Sequence, residues 1–446
     1  MNNERPNDNR KKITIILPCL NVVSYFKECV DSAINQTIYS DIEILIIDAG
    51  STDGTLEMAS FYTDKYENVR LLESDRKSYG YQVNTGIKEA HGEYIAILET
   101  DDYVMNNAYE ILYDEAERTN ADYAKGNFER FYVRRNGHKM FQKIGLFTDD
   151  SLYHNTIDVR NNRELFVRDF NIWKGIYRRD FLMDNNIFLN ESQGAAYQDI
   201  GFSHLVHSYA KNAVYIPEHL YKYRFGREGA SVSSGKGLMY SLKEFSRLLE
   251  MQDKYNIFLP GLYESLLASL SGEIGMLADM RALCDEKIIS SVNCIMTILD
   301  NGMKEGYLTE ENIEEDGLGD FYKDYLLIKN SLDEFVERNI NEQISERKGY
   351  LLLRIDGCRH IIFGAGNYGR SLLTKLDQYD VDVDIIFDNA ASGDENLGGI
   401  PIVRPDNKYL QGDVKVFIAN KKKKEEIRTQ LLTMGVREEY IVDYRL

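Results

Sequence analysis

Three acidic side chains fall within four consecutive positions, Glu99-Thr100-Asp101-Asp102, directly after the apolar run Ile95–Leu98. Carboxylates crowded at the end of a buried strand repel one another and cost desolvation free energy, so a divalent cation with oxygen ligands is a natural partner. A solvated surface turn is the plain alternative. Three further polar clusters also follow strand-like runs: Pro18 to Asn21, Asp48 to Asp53 and Glu73 to Lys77. Any one of them could be an ordinary polar connection, but together they place a ligand rim along one edge of a sheet. Far downstream, Gly364-x-Gly366-x-x-Gly369 has the spacing that lets backbone approach a phosphate, and Asp388 follows at the end of the next strand-like run.

The elements that must hold these groups can be read from periodicity. Residues 12 to 20 form a β-branched run stopped by Pro18, and Asn21 to Gln36 has helical spacing, with Phe26, Val30 and Ala33 near one face. Ile42 to Ile47 is a second buried strand, whose following turn supplies Ser51, Thr52 or Asp53 as a cap for a helix beginning near Thr55. Val69–Leu72, Gln82–Ala90 and Glu93–Leu98 then read as strand, helix and strand. This alternation predicts a parallel α/β sheet with ligands at the carboxyl ends of its strands.

A chain of 446 residues with 43% hydrophobic and 28% charged residues is ordinary for a globular protein of several domains. The net charge of −19 argues against a general nucleic-acid binder, since phosphate backbones select basic surfaces. Five cysteines without a CxxC pair suit a reducing compartment and give no structural zinc. The polar start MNNERPNDNRKK lacks a signal-peptide apolar core, and no run approaches the roughly 20 apolar residues of a bilayer span. A cytoplasmic location is expected, at the inner face of the membrane if the acceptor is lipid-linked.

The first 100 or so residues resemble the nucleotide-sugar-binding half of a family 2 glycosyltransferase with the GT-A fold. The resemblance rests on ITIILPCLN at 13–21, ILIIDAGSTDGT at 44–55, NTGIKEAHGEYIAIL at 84–98 and ETDD at 99–102, in that order and spacing. It implies that Asp48 accepts a hydrogen bond from the base, that Pro18, Leu20 and Asn21 hold base and ribose, and that Asp75 and Asn84 complete the nucleotide site. It also implies that Asp101, with Asp102 and Glu99, corresponds to the family's D-x-D motif and binds Mn²⁺ or Mg²⁺ against the donor diphosphate. Where the family has aspartate this chain has Ala49 and Glu99, and the Asp75 loop is out of register with the usual pattern.

Two later stretches extend the resemblance, Asn171 to Phe181 and Asn190 to Phe202. They imply an acceptor or diphosphate side formed by Trp173 and Lys174, and a general base at Asp199, preceded by Gln198 where the family has glutamate. The plain alternatives are a core tryptophan and a helix-capping aspartate ahead of Ile200–Tyr209. In the Tyr-Arg-rich segment 221–234, Arg224 and Arg227 are candidates to meet the diphosphate. His204, His207 and His219 lack metal-ligand spacing and read as structural.

The expected fold class is therefore α/β. A GT-A domain over 1–234 with a mixed, mainly parallel sheet is followed by a helical connector or bundle over 235–348 and a small Rossmann-like α/β unit over 349–446. In that last unit Gly364, Gly366, Gly369 and Asp388 form a nucleotide-type loop that is either a ligand site or a scaffold. The amphipathic helices of the connector pack on the parent domain, or else serve dimerisation or a membrane-proximal acceptor surface. The expected activity is metal-dependent inverting transfer of a sugar from a nucleotide donor, a UDP-sugar, to a hydroxyl of a glycan or lipid-linked glycan in bacterial surface polysaccharide assembly. The competing readings are a nucleotide-sugar oxidoreductase or epimerase using the C-terminal unit, which shows no Tyr-x-x-x-Lys relay, and a non-catalytic nucleotide-sugar-binding protein.

Overall fold

The computed structural model describes residues 11–226, 236–275 and 285–443. They form two compact units, one of residues up to 128, 144–223 and 227–337, the other of 129–143, 224–226 and 338 onward.

In the first unit β1 (Ile13–Cys19), α1 (Val23–Ile34), β2 (Ile42–Asp48), α2 (Thr55–Lys65), β3 (Val69–Glu73), α3 (Tyr79–Glu89) and β4 (Tyr94–Ile97) alternate as the sequence predicts. The four strands are parallel, in the order β3-β2-β1-β4. Every residue of β1 and β2 is buried, as continuous β-branched strands covered on both faces must be. The cap of α2 comes from Asp53, whose Oδ1 accepts from Thr55 N at 3.0 Å, while Gly54 turns the chain at φ +103°.

The chain continues through β5 (Tyr103–Val104), α4 (Ala108–Thr119), β6 (Tyr123–Val133), β7 (Lys139–Ile144), β8 (Thr156–Ile157), α5 (Arg163–Arg168), β9 (Gly175–Arg178), α6 (Arg179–Asp184), α7 (Gln198–Tyr209) and β10 (Ala213–Arg224). β9 lies antiparallel to both β4 and β6, and the sheet order extends as β4-β9-β6-β10-β5. The mixed, mainly parallel GT-A-like sheet expected from the resemblance is present.

Helices α8 (Gly237–Tyr255), α9 (Leu262–Gly275), α10 (Glu286–Lys304), α11 (Glu310–Glu315) and α12 (Gly319–Asn330) belong to this first unit. The spacing over Phe321–Arg338 reads as one helix, but the structure breaks it at Ser331. That residue is extended, and its Oγ accepts from Glu334 N at 3.1 Å to start α13 (Leu332–Ile355). No helix among the described residues is long and apolar enough to cross a membrane.

The second unit contains β11 (Arg359–Phe363), α14 (Asn367–Gln378), β12 (Ile385–Phe387), β13 (Asn396–Leu397), β14 (Ile400–Val403), β15 (Val414–Ile418), α15 (Lys424–Thr433) and β16 (Ile441–Asp443). Its sheet order is β13-β14-β12-β11-β15-β16, parallel except for the β13–β14 pair. The 129–143 hairpin supplies Met140 to its core beside Ile362, Leu372 and Leu376.

Candidate active site

The loops that leave β1 and β2 are knitted together by side chains. Asn21, in the left-handed region at φ +55°, accepts from Thr52 N at 2.8 Å, and its own N–H donates to Ser51 Oγ at 2.9 Å. Val22 N and Val23 N donate to Thr55 Oγ1 and Asp53 Oδ2. Asp48 is buried and anchors this turn. Its Oδ1 accepts from Gly50 N at 2.9 Å and Ser51 N at 2.8 Å, and its Oδ2 from the Ser51 hydroxyl and, at 3.5 Å, the Cys19 thiol. Burial, with Asp48 beside it, pushes that thiol upward and keeps it protonated. Asp48 thus shapes the β2 loop with both of its oxygens.

Gln82 of α3, which the sequence reading passed over, ties the same two strand ends through Nε2 to Cys19 O at 3.0 Å and Ile47 O at 2.6 Å. Leu20 sits half-buried at the turn between Cys19 and Asn21, and Asp75 is exposed in the loop after β3. Asn84 is buried and faces elsewhere. Its Oδ1 accepts from Leu189 N at 2.9 Å, and its Nδ2 donates to Leu189 O at 2.9 Å and Glu191 Oε1 at 3.2 Å.

The ETDD stretch follows β4 at the same carboxyl edge. Thr100 Oγ1 donates to Pro18 O at 3.0 Å, which fixes the turn to the end of β1. Two phenols hold its acids. Tyr79, at the start of α3, donates to Glu99 Oε1, and Tyr221 of β10 donates to Asp102 Oδ2 at 2.9 Å while accepting from Glu99 N at 3.2 Å. Burial raises both phenols, and the neighbouring carboxylates raise them further, so they act as fixed donors. Tyr221 and Tyr223 alternate on one face of β10, and that period-two pattern in Tyr-Lys-Tyr-Arg was the available signal for them. Among the described residues no three His, Cys, Asp or Glu side chains form a metal site by themselves.

Trp173 is stacked rather than open. Its ring lies parallel to Tyr223 at 5.2 Å, 4.3 Å from Tyr221 and edge-on to Phe128. Lys174 is buried with its Nζ 2.7 Å from Asp169 Oδ1, while Lys125 lies 2.8 Å from Asp169 Oδ2 and Tyr215 donates to that oxygen at 2.8 Å. Burial lowers Lys125 to about 8, and Lys174 lowers it further, whereas Asp169 pulls it upward. Burial also holds His204 and His207 neutral, at about 3 and 4. Arg224 belongs to the second unit, where its guanidinium lies over the Phe131 ring at 4.6 Å, and Arg227 lies outside the described residues.

Asp199 is the second residue of α7, whose N-cap Tyr197 turns the chain at φ +66°. Its Oδ1 accepts from Ile200 N at 3.1 Å, and its own backbone N–H also bears on the carboxylate. Burial lifts it to about 6, against the lowering pull of nearby N–H groups and of Lys125. Gln198 explains its own departure from the family pattern. Its Oε1 accepts from Ala196 N at 2.7 Å, while its Nε2 donates to Ser192 Oγ at 3.0 Å and Gly194 O at 3.2 Å, a donation that glutamate cannot make. Tyr79 is raised by both Glu99 and Asp199, and Tyr223 by Asp102, Asp101, Glu99 and Asp199, so the acidic turn and Asp199 act on the same two phenols.

In the second unit Gly364 has φ +117°, and a Cβ on Gly369 would overlap the Gly364 carbonyl. Gly366 has open space around its Cα. Asp388 ties the glycine-rich loop to its own, with Oδ2 accepting from Ala365 N at 3.0 Å and Oδ1 from Ala390 N at 2.9 Å.

Residues 14–184 match the family model described as glycosyl transferase family 2. The uncharacterised glycosyltransferase YibD of Escherichia coli (strain K12) is 30% identical over 261 residues, covering 56% of this chain and 72% of YibD. The glycosyltransferase GlyG of Streptococcus pneumoniae is 32% identical over 215 residues, covering 48% of this chain and 70% of GlyG. The cholesterol galactosyltransferase of Borreliella burgdorferi is 27% identical over 257 residues, covering 56% of this chain and 70% of its own.

Proposed function

The chain belongs to glycosyltransferase family 2, and from that premise we propose an inverting, metal-dependent transfer of a sugar from a UDP-sugar to a hydroxyl of a glycan or lipid-linked glycan in bacterial surface polysaccharide assembly. The observation that carries the reading is the pairing of Asp199 with the acidic turn after β4. Asp199 is a carboxyl raised by burial, and it acts electrostatically on Tyr79, which Glu99 also raises, and on Tyr223, which Asp102, Asp101 and Glu99 also raise.

In this mechanism Asp199 takes the proton of the acceptor hydroxyl as the oxygen bonds to the anomeric carbon. The bond from that carbon to the diphosphate oxygen breaks on the opposite face, and the electron pair leaves with UDP. The carboxylates of Asp101 and Asp102 suit a hard cation. When bound, Mn²⁺ or Mg²⁺ would neutralise charge on the leaving diphosphate. In this proposal Asp101 is the direct ligand, with Asp102 second and Glu99 in support, and Tyr79 and Tyr221 hold Glu99 and Asp102 in fixed directions.

The test is a panel of UDP- and GDP-sugars with Mn²⁺, read by thermal shift and by donor hydrolysis. Stabilisation by a UDP-sugar, with hydrolysis that falls in Asp101→Asn and in Asp199→Asn, is expected. Stabilisation by NAD or NADP alone would overturn the reading in favour of an oxidoreductase. Hydrolysis that persists unchanged in Asp101→Asn would remove the metal role.

A further inference from the structure

The segment between Leu189 and Gln198 is a strap fastened on both sides immediately ahead of Asp199. On the donor side Gly194 forms a parallel bridge with Ser78: Tyr79 N donates to Gly194 O at 3.0 Å, and Gly194 N donates to Lys77 O at 2.9 Å. Asn84, one helical turn and a half further along α3, closes two hydrogen bonds with the Leu189 backbone and a third with Glu191, which Arg76 also reaches at 3.2 Å. Gly80 lets this happen, since a Cβ there would overlap the Asn190 carbonyl. On the opposite side the strap is held by the helical segment. Asn190 Nδ2 donates to Glu244 Oε1 of α8 at 2.8 Å, and Tyr197 OH donates to Glu273 Oε2 of α9 at 2.8 Å. Gly237, at the start of α8, has no room for a Cβ between Glu273 and Tyr197.

We infer that Asn84 and the Tyr197–Glu273 pair are positioning residues for the base. They clamp the 189–197 strap between the donor-side helix α3 and the helical segment, and so set where Asp199 stands relative to the donor. The inference rests on the transferase reading and deepens it. It gives α8 and α9 a task in the reaction, and it takes Asn84 out of the nucleotide contacts. Both amide hydrogens of buried Asn84 are taken up by the strap, and its carbonyl oxygen accepts from Leu189 N, so its side chain is committed to the strap. The start of α3, whose Tyr79 holds Glu99, therefore also fastens the strap that leads to the base. A reacting geometry held this way is sensitive, because a displacement of about 1 Å costs on the order of a hundredfold in rate.

The experiment compares wild type with Asn84→Ala, Tyr197→Phe, Glu273→Leu and Glu273→Gln. It measures the Kd for UDP with Mn²⁺, the kcat and KM for hydrolysis of the UDP-sugar that wild type uses, and amide hydrogen exchange over 189–199. Asn84→Ala, Tyr197→Phe and Glu273→Leu should each lower kcat at least tenfold and speed exchange in the strap, with the UDP Kd and the donor KM within twofold of wild type. Glu273→Gln keeps an oxygen that accepts from Tyr197 and should recover most of the lost rate. Tyr197→Phe removes one oxygen atom only, so it remains informative if Asn84→Ala folds poorly. A raised UDP Kd in Asn84→Ala with unchanged kcat would overturn the inference and return Asn84 to the nucleotide site. Equal losses in both glutamate variants would overturn the Tyr197–Glu273 clamp. Faster strap exchange in a chain whose wild type hydrolyses no UDP-sugar would overturn the transferase reading and leave the fastening as structure alone.

Discussion

Burial raises the Asp199 carboxyl from an ordinary value of 3.8 to about 6, so a base stored at this position is protonated in mildly acidic solution. A base acts only when ionised, and the expected kcat profile therefore falls on the acid side with a midpoint near 6. Lys125 opposes the rise, so Lys125→Met should move that midpoint upward, while Asp199→Asn should abolish transfer at every pH. A profile flat from pH 5 to 8 would count against Asp199 as the base. Tyr221 offers a second check at this scale. Its hydroxyl is a donor to the buried Asp102 carboxylate, and Tyr221→Phe removes that hydrogen bond. Thermal or denaturant unfolding should show a loss of about 1 to 3 kcal/mol. The acids of the site were legible in the sequence because three carboxylates in four positions demand an explanation. The phenols that hold them were not, because Tyr79 and Tyr221 reach Glu99 and Asp102 only once the sheet has brought distant segments together.

At the level of elements, β1 to β4 and their helices could be read because continuous β-branched runs bounded by polar turns have few other uses. The strap before α7 could not be read, since its conformation is set by side-chain hydrogen bonds rather than by periodicity. Gln198 is the clearest instance. From sequence it looks like a weakened acid, yet its amide is a donor inside a closed loop, and Gln198→Glu would set a carboxylate against the Gly194 carbonyl. That exchange should destabilise the chain by about 1 to 3 kcal/mol, measurable by chemical unfolding, and it should not improve catalysis. Glu244 of α8 gives a prediction of opposite sign. Burial raises its carboxyl from 4.5 to about 7. The folded chain then holds a proton that the unfolded chain releases near 4.5, so stability falls as pH rises from that value through 7. Glu244→Gln keeps the oxygen that Asn190 donates to and removes the buried charge. It should be more stable than wild type at pH 8, by up to about 3 kcal/mol, and should lose that advantage near pH 4.5.

For the molecule as a whole, sequence order and packing do not coincide. A boundary near 349 is a natural reading, because the Gly-rich loop and its parallel strands begin just after it. Yet the second unit also takes in the 129–143 hairpin, and that hairpin carries interactions the unit cannot replace. Arg134 is buried, with Nη2 3.1 Å from Asp377 Oδ1 and Nη1 donating to Gly398 O at 2.5 Å, and Arg370 donates to Phe141 O at 2.7 Å. Arg135 adds its backbone N–H to Asp377 and its guanidinium to Asp380 and Asp382. Without the hairpin, Asp377 on α14 loses its ion-pair partners, and Met140 leaves an opening in the core. A domain of this size has a total stability of about 5 to 15 kcal/mol, so losing these contacts together with a core side chain is a large part of it. Residues 338–446 expressed alone should therefore give a poorly dispersed amide spectrum and no cooperative unfolding. The same fragment with 129–143 joined to it by a flexible linker should regain both, and Arg134→Ala in that joined chain should undo the gain. Cooperative unfolding of the bare fragment would show that the hairpin is accommodated by the unit rather than required by it.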